Sequence, residues 1–427
     1  MEKLKRTLKG IARTVLPWSL RRLIYRRLAF RYISGLPPID PAKKTIVALN
    51  HFFDQDIRAL ALANTEYNLV AINAPRFFIG AKIFFNHAVR ELLAPYETAE
   101  PHRRAQYRQE CELLYRRLAD RVNPALFVST SDIFYWLREF VVVAREHGVN
   151  NVVVDKEGTI SPFNFDNQSV RIRDFAPFIS KHIFLWSERQ REFWRRIGVA
   201  DDDMTVIGQP RSDLLHREHR RAVDDYFPHP QPLITLFSYM ANAYIPSDVA
   251  RKDKLTWRVM RDATHAEFHR LAVQNRNYNF VIKTHPQQPD LLDLRRKYRR
   301  DNLRVIGGSA VANELLQRSE LIIGFQTTAV TEAMMLGKNV IYTYWDPLIA
   351  RFKNDLLPFH EASGIVVAKS AEQFRAVCER FFKGDLRDFE FTAEQIAKRD
   401  EFVNGYFSQP DGHVCERFYD AVRRFVR

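Results

Sequence analysis

The segment Ser319–Ile341, SELIIGFQTTAVTEAMMLGKNVI, holds the strongest local arrangement of chemistry-bearing residues in this 427-residue chain. It reads as a buried strand, a polar turn of Gln326, Thr327 and Thr328, a helix, Gly337 and a second buried strand. A hydroxyl turn at a helix N-terminus presents free N–H groups and the positive end of the helix dipole, which together seat a phosphate. Glu332 follows Thr328 by one helical turn, where a carboxylate can accept hydrogen bonds from ribose hydroxyls. The plainer alternative is N-capping of the helix by Thr327 or Thr328. No Asp-x-Asp pair of the kind that holds a metal-bound nucleotide accompanies the segment, and Asp201–Asp203 reads as a solvated loop. Neither a metal nor another cofactor is expected.

This segment resembles the donor-binding half of GT-B glycosyltransferases, where a strand, a Ser/Thr turn and a helix bearing a glutamate precede a G-K-x-V-I strand. VIKTHPQQP places Lys283, His285 and Pro286 at a strand end. It is similar to the K-x-H-P of bacterial surface-polysaccharide transferases, a group that includes Kdo transferases of capsule synthesis and CDP-glycerol glycerophosphotransferases. VIGQPRSDLL, Val206–Leu215, is similar to their G-N-P-R-x-D-x-L, with Gln209 in place of the Asn. The ordered motifs span residues 150–345, while residues 45–125 match in topology alone. The resemblance implies a metal-independent glycosyltransferase that takes a sugar or polyol phosphate from a nucleotide-activated donor, with cytidine nucleotides favoured and uridine nucleotides open. The acceptor is expected to be a lipid-linked or growing surface glycan. Arg211, Lys283, His285, Thr327, Thr328 and Glu332 are the donor-binding candidates. Lys283 and His285 offer positive charge and donors to phosphate, and Arg211 can bind phosphate or a sugar carboxylate bidentately. Without a metal, catalysis rests on these cations neutralising the leaving phosphate. A structural role is the alternative for His285.

Glycosyl transfer also needs a carboxylate, as base for the acceptor hydroxyl or as nucleophile. VVVDKEGT, Val152–Thr159, sets Asp155 and Glu157 at the carboxyl end of a buried strand, where sites of parallel sheets form. Glu157, Asp155 and Asp213 are the catalytic candidates, Glu157 foremost because Gly158 allows close approach beside it. A loop carboxylate paired with Lys156 or Arg171 is the bland alternative. Trp186, Glu188 and Arg189 stand at the next strand end and can shape the pocket. NHFFDQD, Asn50–Asp56, supplies His51 and Asp54 as acceptor-side groups. His51 and Asp56 also resemble the His-x4-Asp of glycerolipid acyltransferases, and Glu157–Thr159 resembles their E-G-T. Those enzymes are one compact domain, which leaves residues 200–345 unexplained. A non-catalytic nucleotide- or glycan-binding membrane protein is the remaining rival.

The elements that must position these residues alternate short β-branched runs with helical stretches from residue 44, the pattern of βαβ units. Strands are expected at Thr45–Leu49, Asn68–Ile72, Ala125–Ser129, Asn151–Asp155, His182–Trp186 and Met204–Gly208. A second series is expected at Leu233–Phe237, Asn279–Lys283, Leu303–Ile306, Leu321–Gly324 and Asn339–Tyr342. Helical patterns occupy Pro101–Arg121, Ile133–His147, Thr256–Gln274 and Thr328–Leu336. Three prolines within FPHPQP mark the boundary between the series. The expectation is α/β, two tandem doubly wound Rossmann-like domains of GT-B architecture. Residues 36–228 form the acceptor-side domain and 229–370 the nucleotide-sugar domain, and helices in 371–427 pack back across the cleft.

Composition bounds the partners. Hydrophobic residues are 46% and charged residues 27%, ordinary globular values. Cys111, Cys378 and Cys415 lie too far apart in sequence for a disulfide framework or a zinc site, as expected of a reduced, intracellular protein. Residues 1–35 hold ten basic residues against Glu2 alone, so +9 of the chain's +14 sits there. Leu4, Leu8, Ile11 and Val15 share one helical face, Lys3, Lys5, Arg6, Lys9 and Arg13 the opposite one. Pro17 is read as ending that helix, with Trp18 as an interfacial aromatic. The stretch Leu20–Tyr32 follows, its apolar face interrupted by Arg27 and Arg31. Residues 1–34 are read as a segment drawn to an anionic membrane surface, placing the protein on the inner face of the cell membrane from the cytoplasmic side. A solvated helix packed on the domain and a mitochondrial presequence are the alternatives. No run approaches the ~18 apolar residues of a membrane span, and no basic-aromatic module points to nucleic acid.

Overall fold

The computed structural model describes residues 17–51, 53–156, 160–217, 222–245, 253–308 and 311–426. Two parallel six-stranded sheets organise them. The first contains β1 (Thr45–Asn50), β2 (Asn68–Asn73), β3 (Pro124–Ser129), β4 (Asn150–Val154), β5 (His182–Leu185) and β6 (Met204–Val206), ordered β2-β1-β3-β4-β5-β6. The second contains β7 (Leu233–Phe237), β8 (Asn279–Lys283), β9 (Leu303–Ile306), β10 (Ser319–Gly324), β11 (Asn339–Thr343) and β12 (Val366–Ala368), ordered β12-β11-β10-β7-β8-β9. Helices cover both faces, so strands read as continuous apolar runs: Val152–Val154 and Leu321–Ile323 are completely buried.

Among the described residues, α-helices of seven or more residues run in chain order as α1 (Trp18–Ser34), α2 (Asp54–Ala63), α3 (Pro101–Val122), α4 (Tyr135–Glu146), α5 (Phe165–Phe175) and α6 (Glu188–Ile197) around the first sheet. Around the second come α7 (Arg258–Gln274), α8 (Leu291–Lys297), α9 (Ala312–Arg318), α10 (Thr328–Met335) and α11 (Ala371–Phe382), and then α12 (Ala393–Phe407) and α13 (Val414–Val422). The architecture is two doubly wound α/β domains in tandem, as the sequence pattern implies. Strand ends differ in small ways. The first sheet loses Asp155, Trp186, Ile207 and Gly208 to the following loops, and β12, only three residues long, escapes pattern reading altogether.

Each strand order reverses direction once. In the first sheet β1 leads outward to β2 while β3 starts the walk the other way; in the second sheet the reversal lies between β7 and β10. Crevices open at the carboxyl ends of such strand pairs, because the flanking connections leave on opposite faces.

The chain then returns to its first domain. In α13, Val414, Cys415, Phe418 and Val422 pack into the core of Ile46, Leu126 and Phe184. Asp213 holds this return: its carboxylate accepts the backbone N–H of Val414 at 3.0 Å and of Cys415 at 2.8 Å. Gly208 makes the crossing possible, since a Cβ there would lie 2.8 Å from the Ser408 carbonyl and its φ is +96°.

Residues 1–16 lie outside the described residues, and so does the apolar face Leu4–Val15. Pro17 stands at the N-cap of α1. Trp18 packs edge-on against Phe84, with ring centroids 5.5 Å apart. On the inner side of α1, Ala29 and Ile33 are buried, and Arg22 and Arg26 both pair with Glu110 of α3. The outer side exposes Leu20, Leu23, Ile24 and Leu28 together with Arg27 and Arg31. Among the described residues no helix is long and apolar enough to cross a membrane.

Candidate active site

The carboxyl ends of the two sheets meet. β10 ends in a turn whose first polar residue, Gln326, is buried with φ +46°, a left-handed conformation costly for a side chain-bearing residue. Its amide offsets the strain with three bonds: Nε2 donates to Tyr342 Oη at 2.6 Å and to the Leu357 carbonyl at 2.8 Å, and Oε1 accepts from the Leu357 N–H at 2.8 Å. The turn so fixed delivers Thr327, which caps α10 as the plainer sequence reading has it, and Thr328, the first helical residue. Glu332 sits one turn along, buried.

Arg211 reaches this turn from the other domain. Its Nε lies 3.1 Å from Glu332 Oε1 and its Nη2 lies 3.5 Å from Thr328 Oγ1. Behind it, Nη1 lies 3.5 Å from Asp56 Oδ2, and the guanidinium rests 5.0 Å from the centroid of the buried Trp186 ring. Burial raises the Asp56 carboxyl above its ordinary range, and Arg211 opposes that rise. Two of the expected donor-binding groups, Arg211 and Glu332, therefore satisfy each other here. A second seam joins the domains nearby: Ser161 Oγ donates to the Asn354 carbonyl at 2.7 Å and Asn164 Nδ2 to Asp355 Oδ1 at 2.9 Å.

Lys283 ends β8 and is buried, its Nζ donating to the Thr284 carbonyl at 2.7 Å. Burial alone lowers its pKa to about 8. His285 follows and is exposed, so it is no core histidine; its Nδ1 accepts the Gln287 N–H at 3.2 Å, which turns the other ring nitrogen into the donor. Sequence reading missed the companions of this pair. Ser238, just past β7, lies 3.0 Å from His265 Nε2 and 3.2 Å from Gln288 Nε2, while Gln288 Oε1 accepts the His285 N–H. His265 is buried and held neutral, its pKa pushed down to about 3 by burial and then by Arg261. The signal available was positional, since Ser238 follows a strand that pairs with β8 in a parallel sheet.

On the first domain, Asp155 is buried, its Oδ2 accepting from Gln190 Nε2 at 3.1 Å and Trp194 Nε1 at 2.6 Å. These bonds anchor α6. Asp213, also buried, has both carboxylate oxygens occupied by the α13 amides. Glu157 lies outside the described residues, between Lys156 and the Ser161 seam. Arg171 is tied to the Glu91 and Leu92 carbonyls. Asp54 accepts from Asn50 Nδ2 at 2.7 Å in the β1–α2 turn that also carries His51. Asp56 belongs to Arg211, and with two sheets present the compact acyltransferase reading is set aside.

These features, two doubly wound domains with their strand ends opposed and the C-terminal helix crossing back, define a GT-B fold. Solved structures agree. The wall teichoic acid polymerase TagF, in a structure soaked with CDPG, superposes with a TM-score of 0.54 at 10% identity over 100% of this chain and 98% of that one. An S. aureus MnaA–UDP co-structure gives 0.53 at 12% identity over 90% and 96%. UDP-GlcNAc 2-epimerase from Neisseria meningitidis bound to UDP-GlcNAc gives 0.51 at 13% over 89% and 100%. At such identities the likeness is one of fold. No family model and no curated protein matches the chain.

The lysine gives a stability test. Its folded pKa of about 8 lies below the ordinary 10.5, so the unfolded chain holds the proton more tightly and stability rises as pH climbs between those values. Lys283→Met should therefore stabilise the ligand-free protein at pH 7, by on the order of 2 kcal/mol. The gain should shrink towards pH 10. Thermal melts at both pH values check it, and a destabilised variant at pH 7 contradicts it.

Proposed function

We propose that this GT-B protein is a glycosyltransferase of surface-polysaccharide assembly. It moves a sugar or polyol phosphate from a nucleotide-activated donor, cytidine-linked by preference, to a lipid-linked or growing glycan acceptor. The observation that carries the reading is Lys283: a buried cation, with no carboxylate in salt-bridge range among the described residues, at the carboxyl end of β8, in the same sheet as the β10 strand that leads into α10. A donor phosphate is the natural counter-charge for that arrangement, with His285, Thr327 and Thr328 as further donors. Arg211 exchanges Glu332 for phosphate, and Glu332 then accepts ribose hydroxyls. UDP, UDP-GlcNAc and CDPG accompany structures of similar fold, which supports a nucleotide-linked ligand. Glu157 acts on the acceptor as base or nucleophile. The reaction as proposed draws on no metal or other cofactor, and nucleic acid is not a partner.

Residues 1–34 hold the protein to the anionic inner face of the cell membrane, where a lipid-linked acceptor is confined. The four exposed apolar side chains of α1 beside Arg27 and Arg31 support this, at roughly 1 kcal/mol per basic residue near the surface.

Three measurements follow. In a thermal-shift panel of CMP, CDP, UDP, GDP and ADP, a cytidine nucleotide should give the largest rise, near 3 kcal/mol at about a hundred times its Kd. Lys283→Met should lose roughly ten- to hundredfold in affinity; no shift with any of the five would refute the donor reading. Glu157→Gln should keep nucleotide affinity and cut transfer by at least ~10², and near-normal turnover would remove Glu157 from the mechanism. The intact chain should sediment with anionic liposomes in a salt-sensitive way, and deletion of residues 1–34 should abolish it. Equal sedimentation of the truncated chain rejects the membrane segment.

A further inference from the structure

The switch point of the first sheet holds an arrangement that the proposed donor chemistry leaves unused. β3 runs out through Ser131 and Asp132 into Ile133, Phe134, Tyr135 and Trp136, all four partly exposed although the next residues of α4, Leu137 to Val141, are buried. Phe134 and Trp136 stack with ring centroids 5.1 Å apart and planes 9° from parallel. His51, at the end of β1, meets both edge-on, at 5.0 Å from Phe134 and 5.5 Å from Trp136. Behind them Phe78 lies 5.0 Å from Trp136, and Tyr107 Oη donates to the Trp136 carbonyl at 2.5 Å. The pair is braced from two sides and packed against the first domain's core, yet only half-buried, where fuller burial would ordinarily be favoured for such large rings.

We infer that Phe134 and Trp136, braced by His51, form a stacking platform for a pyranose ring of the acceptor; the acceptor assignment rests on the transferase reading. Aromatic faces carry negative quadrupole density and attract the polarised C–H groups of one sugar face, while hydroxyls at the ring edge need polar neighbours. Asn50 and Asp54 supply such neighbours in the same β1–α2 turn as His51. An alkyl chain has no use for them. The position is also that of a substrate, because the carboxyl ends of β1 and β3 flank the crevice where this sheet reverses. Donor and acceptor then occupy corresponding switch points of the two sheets.

Ligand-observed saturation-transfer NMR on the full chain tests this with methyl pyranosides of glucose, galactose, N-acetylglucosamine and rhamnose, and with glycerol 3-phosphate as the open-chain contrast. At least one pyranoside should saturate most strongly along one face of its ring, and glycerol 3-phosphate should not compete. Phe134→Leu should weaken that binding at least tenfold with the nucleotide thermal shift unchanged. Should Phe134→Leu lose its near-UV circular dichroism, Trp136→Phe decides, with a several-fold loss expected. Absence of saturation for all four pyranosides overturns the platform, as does unaltered binding in a folded variant or equal competition by glycerol 3-phosphate. A nucleotide shift without pyranoside binding refutes the platform alone. Pyranoside binding without any nucleotide shift refutes the transferase reading and leaves a sugar platform.

Discussion

Arg211 carries one positive charge between two carboxylates that belong to different domains, Asp56 from α2 and Glu332 from α10. Removing either carboxylate from water is costly unless a cation and good geometry replace the lost hydration. The guanidinium supplies both, as a planar fork lying over Trp186. Its loop is tied to Asp56 again through the Arg211 backbone N–H at 3.2 Å. This charge balance ties the two domains at the base of the cleft, beside the Ser161 seam and the packing of Trp186 and Leu215 into the second domain's core.

Lys283, in the second domain, shows the opposite arrangement. Arg211 is neutralised twice, whereas Lys283 is buried with a carbonyl as its partner. A group held in an unfavourable environment by the rest of the fold is the usual mark of a site awaiting a ligand, since stability alone would favour an apolar residue there. His265 makes the complementary point. It is as deeply buried, but it can shed its proton and stay neutral against Ser238, so it organises the strand end without demanding a counter-charge.

The fold was legible because parallel strands buried on both faces must be apolar throughout, and runs such as Leu321–Ile323 and Phe280–Ile282 can be little else. β12 was not, because three residues at a sheet edge carry no periodicity. The motif residues were legible where a strand end, a hydroxyl turn and a helix lie consecutively, as in Phe325–Glu332. Pairings across the chain were not: nothing local tells that Arg211 meets a carboxylate at 56 and another at 332, or that Asp213 faces amides at 414 and 415. Carboxylates are the worst case, since a catalytic acid and a buried cap have the same sequence appearance. Asp213 and Asp155 resolve as acceptors of buried N–H groups only once the returning helix and α6 are in place.

α1 shows how a charge count misleads when half the partners are distant. Its basic character alone suggests a helix turned wholly towards an anionic surface. Glu110 of α3 takes up both Arg22 and Arg26, however, and Ala29 and Ile33 fix the side that must face the domain. What remains outward is Leu20, Leu23, Ile24 and Leu28 with Arg27 and Arg31, fewer charges but a defined direction. Apolar burial is non-directional by itself. Under the proposed membrane attachment, a helix pinned by one ion-paired face would also fix which side of the first domain faces the surface.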